Sequence, residues 1–98
     1  MAHRYVLDTH ALVWHLEGNP RLGPQAKEAI DNPLNHLALP IIALAEAAYI
    51  VEHRRTAIPT LSDLLSSVSA DYRISIYPMT WEVFQETLAA SVLPETTG

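Results

Sequence analysis

The apolar positions of this chain come in short blocks separated by clear stops. Tyr5-Val6-Leu7 is a brief apolar run closed by Asp8, and it predicts a buried strand. Thr9 to Glu17 reads as a helix, with Asp8 or Thr9 as its N-cap and Gly18-Asn19-Pro20 as its stop. A second helix is expected from about Pro24 to Asp31. Its apolar residues Leu22, Ala26, Ala29 and Ile30 recur at the spacing of one helical face, and Asn32-Pro33 ends it. His36 to Leu39 predicts a second strand, and Pro40 suits the first position of a third helix reaching about Arg55. The first half of that helix is almost wholly apolar, so burial on more than one side is expected.

Thr60-Leu61-Ser62-Asp63 resembles a capping box with Asp in place of Glu, and the helix behind it sets Leu61, Leu64, Leu65 and Val68 on one face. Arg73 to Tyr77 alternates polar and apolar as a third strand, stopped by Pro78. Thr80 then caps a fifth helix carrying Val83, Phe84 and Leu88, ending near Leu93-Pro94. Strands separated by helices imply parallel crossovers and an α/β sandwich, with any site outside the carboxyl ends of the strands.

The chain has 98 residues, 49% hydrophobic and 17% charged, which fits one packed domain and excludes a disordered tail. It contains no cysteine, which rules out disulfides and thiolate metal sites and fits a reducing cytoplasm. Asp8 follows the N-terminus too closely for a signal peptide's apolar region. The longest apolar stretch, Leu37 to Ala45, falls far short of the roughly 18 residues a membrane helix needs. Six basic against eleven acidic residues give a formal charge of −5, which argues against binding nucleic acid by bulk positive charge. It does not argue against a nuclease, because carboxylates that hold metal ions count as negative. A local basic patch remains at His53-Arg54-Arg55.

Few residues stand where chemistry is expected. Asp8 follows the first strand directly and reads either as a helix cap or as a metal ligand aimed out of the sheet edge. Glu46 lies in Ile41-Ile42-Ala43-Leu44-Ala45-Glu46-Ala47-Ala48-Tyr49-Ile50-Val51, with no base one turn away on either side. It is either a surface carboxylate on a partly buried helix or a functional one with small alanines leaving space around it. Two such carboxylates suit a hard divalent cation such as Mg²⁺. The histidines form no HExxH pattern, which makes zinc a poor fit, and the glycines form no phosphate loop. Trp14, within the first helix, reads as a core or dimer contact rather than a base-stacking platform.

Tyr5-Val6-Leu7-Asp8-Thr9-His10-Ala11-Leu12-Val13-Trp14 resembles the opening of PIN domains, specifically the VapC-like toxins of toxin–antitoxin pairs. Glu46 in its alanine-rich helix resembles that family's second acid, and Ile74 to Thr80 is similar to its third strand and the start of the next helix. The resemblance implies a three-layer α/β/α sandwich with a parallel sheet in the order 3-2-1-4-5. It further implies Mg²⁺- or Mn²⁺-dependent RNA cleavage, homodimers, and an antitoxin partner over the active-site groove. Asp8 and Glu46 would then be catalytic metal-binding acids, and Thr9 would approach the substrate.

The family's third acid, in a His-Asp-Arg-like motif, is expected just after Leu93-Pro94-Glu95, where Thr96-Thr97-Gly98 stands instead. Residues 1–98 are therefore expected to form one PIN-like domain lacking its C-terminal third, with three strands and five helices. Impaired cleavage and self-association through an open first strand are expected to follow. A non-catalytic remnant that binds an antitoxin or itself is the alternative.

Overall fold

Three strands and four α-helices alternate along the chain in a computed structural model that describes residues 3–82, 84 and 85. The strands are β1 (Arg4–Val6), β2 (His36–Pro40) and β3 (Ile74–Tyr77). The helices are α1 (Thr9–Glu17), α2 (Pro24–Asp31), α3 (Ile41–Glu52) and α4 (Leu61–Ala70), with a single 3₁₀ turn at Pro20–Leu22. The expected fifth helix lies outside the described residues except for its start. There Trp81, Glu82, Phe84 and Gln85 are helical, and the Phe84 amide donates to the Thr80 carbonyl over 2.9 Å.

The sheet is wholly parallel, in the order β1-β2-β3, with Tyr5 beside Leu37 and Leu37 beside Ile74. This agrees with the first three strands of the expected 3-2-1-4-5 order. Leu37, Ala38, Leu39 and Pro40 are all buried, as in a central strand covered on both faces. The core joins Leu7 and Leu39 of the sheet region to Leu12 of α1, Ile30 of α2, Ala47 and Val51 of α3, and Leu64 and Val68 of α4.

Helix boundaries follow local chemistry. Gly18, in the left-handed region at φ 68°, ends α1 as its amide and that of Asn19 reach back to the His15 and Trp14 carbonyls. Pro40 differs from expectation: it closes β2 and serves as the N-cap residue of α3 instead of entering the helix. The far end of α3 stops at Glu52, short of Arg55. Arg54 adopts a left-handed φ of 56°, its amide donating to the Val51 carbonyl and that of Arg55 to the Ile50 carbonyl. A glycine there would avoid the steric cost that arginine bears.

Two further expectations change. Helix α3 is buried on one side only: Ala43, Leu44, Ala47 and Val51 face the core, whereas Ile41, Ile42, Ala45, Glu46 and Tyr49 are exposed. On α4, Leu64 and Val68 are buried but Leu65 is exposed. The Thr60 cap accepts the Asp63 amide at 3.1 Å, and the Asp63 carboxylate accepts the Thr60 hydroxyl at 2.8 Å. The reciprocal bond of a full capping box, to the Thr60 amide, is thus replaced by a side-chain contact.

Polar contacts join distant segments. Arg73 forms a bidentate pair with Asp71 at 3.0 Å on both arms and also donates to the carbonyls of Ile30 and Asn32, tying the start of β3 to the end of α2. Glu17 accepts the Thr56 hydroxyl at 2.6 Å, the Ala57 amide at 3.1 Å and the Asn19 side chain at 2.9 Å, pinning the α3–α4 loop to α1.

These contacts make stability fall with acid. The Arg73 bonds hold the Asp71 carboxyl below its ordinary value of 3.8. Burial works to raise Glu17, but donation from Thr56, Asn19 and Ala57 outweighs it and holds the group below 4.5. Burial also lowers His15 below 6.5, against the pull of Asp31 and Asp71. Each folded pKa lies below its unfolded value, so the unfolded chain binds more protons and stability is lost as pH falls. Thermal melts are expected to be level above about pH 7.5, to decline as unfolded His15 begins to protonate, and to drop again below about pH 4.5. A melting temperature that held steady or rose through the acid range would contradict these assignments.

Candidate active site

Strand β1 delivers the chain to Leu7 and Asp8, and α1 begins at Thr9, so these residues sit at the sheet's carboxyl edge. Asp8 is the α1 N-cap, with Oδ1 accepting the Ala11 amide at 2.7 Å. This bond occupies one carboxylate oxygen and fixes the other relative to the helix. Thr9 is 8% exposed, and its hydroxyl donates to Glu46 Oε1 over 2.6 Å. Glu46 comes from the second turn of α3, the helix that leaves the carboxyl end of β2. The small buried residues Ala43 and Ala47 flank it along α3, which packs against α1.

Asp8, Thr9 and Glu46 line one pocket of about 420 Å³, together with His10, Tyr49 and Ile50. Residues 37 apart in sequence are thus joined by a direct hydrogen bond. Glu46 is exposed, so the cost of burying an unpartnered charge does not arise; its orientation comes from Thr9. His10 and Tyr49 line this site too, although little in the sequence points to them. Their only signals were proximity to Asp8 and a position three residues after Glu46, which bring Tyr49 round to the same side of α3. Tyr49 stacks on His53 with ring centroids 3.9 Å apart.

The donor set is hard oxygen. Asp8 Oδ2 and Glu46 Oε2 make no hydrogen bond to the described residues, while their partner oxygens are held by Ala11 and Thr9. Among the described residues, no group of three or more His, Cys, Asp or Glu gathers in a way that could hold a metal. Two anchored carboxylates beside an open pocket fit a hydrated Mg²⁺ or Mn²⁺, which accepts one or two protein carboxylates and keeps water or phosphate oxygens elsewhere. They do not fit a cation that demands an all-protein cage.

A parallel sheet with helical crossovers and a carboxyl-edge pocket holding two acids defines an α/β protein with a candidate acidic active site. The chain belongs to the PIN domain family, whose model matches residues 5–92, and members of that family are generally nucleases. No curated protein and no solved structure matches the chain significantly.

Proposed function

We propose that this protein is a metal-dependent endoribonuclease of the VapC toxin type, with Asp8 and Glu46 as its metal-binding acids. The observation that carries this reading is the Thr9–Glu46 hydrogen bond, which brings the acid of α3 to the helix start that holds Asp8. A bound Mg²⁺ or Mn²⁺ would supply Lewis acidity toward a phosphate oxygen and lower the pKa of an attacking water. Asp8 serves through the oxygen its cap leaves open, and the cap prevents that carboxylate from turning away. Glu46 serves likewise through the oxygen not taken by Thr9. Thr9 orients Glu46 and lines the same pocket, where it would meet the substrate. The proposed partners are RNA, a cognate antitoxin and a second copy of the chain, in the cytoplasm. No helix among the described residues is long and apolar enough to cross a membrane.

The second reading is a non-catalytic PIN module that binds an antitoxin or associates with itself. The exposed Ile41, Ile42 and Tyr49 on α3 favour it, as does a pocket with two acids among the described residues. Two carboxylates hold one hydrated ion and do little to fix an attacking water, so a site built on these two acids is expected to cleave slowly.

The deciding experiment incubates labelled single-stranded RNA with the protein in Mn²⁺, in EDTA, and with the Glu46→Gln variant. Slow cleavage confined to the parent protein in Mn²⁺ is the expected result. RNA that stays intact in Mn²⁺, with antitoxin binding retained, would establish the second reading. Cleavage that persists in Glu46→Gln would remove Glu46 from the site.

A further inference from the structure

We infer that the candidate site continues into a cationic groove in which Arg21 and Arg55 hold the phosphates of a single-stranded RNA running past Asp8 and Glu46. This inference rests on the nuclease reading and adds the path of the substrate. A second pocket, of about 390 Å³, is lined by His10, Trp14, Arg21, Ile50 and Arg55 among others. It shares His10 and Ile50 with the acidic pocket, so the two cavities meet along one wall.

Both arginines are exposed and neither forms a close ion pair within the described residues, although the charge of Arg21 helps to keep Glu17 ionised. Their backbones are nonetheless held. The Arg55 amide donates to the Ile50 carbonyl over 3.0 Å, which brings the chain back over the end of α3 beside a residue common to both pockets. The Arg21 amide donates to Asn19 Oδ1 over 2.9 Å within the 3₁₀ turn.

Among the described residues Glu17 is the one carboxylate lining this second cavity, and its oxygens already accept Thr56, Ala57 and Asn19. A cavity lined by two arginines therefore adjoins a cavity lined by the two acids. A polyanion needs that arrangement on a protein whose overall charge is −5. Phosphate contacts from arginine would set the register of the strand, leaving a scissile phosphodiester at the acids.

The salt dependence of RNA binding tests this inference. Affinity for a short single-stranded oligoribonucleotide would be measured in EDTA, which stops metal-dependent turnover, between 50 and 200 mM salt. Each phosphate contact contributes about 0.7 to the slope of log affinity against log salt, so the Arg21→Gln/Arg55→Gln variant should lose about 1.4. Over that range the parent protein should weaken about sevenfold more than the variant. Lys27→Gln removes an exposed cation outside both pockets and should keep the parent slope. Exposed substitutions of this kind shift stability by no more than about 0.5 kcal/mol, so unfolding would not imitate the effect.

A parent slope retained in the double variant would overturn the groove while leaving metal-dependent cleavage, measured separately, intact. A parent protein that binds an acidic peptide in preference to RNA would assign the arginines to a protein partner, and the inference would fall. No RNA binding by the parent at 50 mM salt would overturn it as well.

Discussion

Asp8→Asn is expected to fold as well as the parent protein and to lose metal-dependent cleavage, whereas Asp8→Ala loses stability as well. The two variants separate the two tasks of one side chain. As the N-cap of α1, Asp8 needs only an oxygen that accepts the Ala11 amide, and Asn caps helices about as well as Asp. Alanine offers no acceptor, at a cost of about 1 kcal/mol, which lowers the melting temperature of a domain this size by about 4–8 °C. As a ligand, Asp8 needs its negative charge, which neither variant keeps. Altering even a group that supports a metal ligand costs about 10–100-fold in affinity or activity, so losing a ligand should cost at least about 100-fold. Calorimetry and an RNA cleavage assay on both variants check this pair of outcomes. Parent-like cleavage by Asp8→Asn would reduce Asp8 to a cap.

Leu12→Ala is expected to be the most destabilising single change near the site. Leu12 is fully buried in α1, one turn after Asp8 and Thr9, inside the core shared by all four helices. Removing its side chain loses transfer energy and leaves a cavity, together worth about 2–5 kcal/mol. A small domain's total stability is about 5–15 kcal/mol, so much of it would be gone. The melting temperature should fall by more than about 10 °C. A fall of only a few degrees would mean that α1 is seated mainly by polar contacts such as Glu17 with Thr56 and Ala57.

Much of this architecture is legible in the sequence because punctuation residues mark its boundaries. Gly18, Pro24, Asn32-Pro33 and Thr60 each end or begin an element where the pattern places it. Pro40 misleads because its fixed φ suits both a strand end and a helix start. The end of α3 misleads because its left-handed residue is Arg54, with no glycine to signal the turn. The exposed apolar face of α3 is hidden for another reason: a nearly uniform apolar run carries no periodicity to say which side is wet.

Asp8 and Glu46 stand out as candidates by position and by context. The bond that joins their neighbourhoods does not, because Thr9 is an ordinary residue until α1 packs on α3. Arg73 is similar. It reads as a strand residue, and its role at the end of α2 emerges only when β3 lies alongside β2.

Mn²⁺ titration followed by electron paramagnetic resonance tests the central claim most directly, because it reads the ion itself and needs no substrate. One weakly bound Mn²⁺ per chain is expected in the parent protein, with binding lost in both Asp8→Asn and Glu46→Gln while thermal melts show each variant folded. Mn²⁺ binding of unchanged affinity in both variants would place the ion elsewhere and contradict the assignment of these two acids.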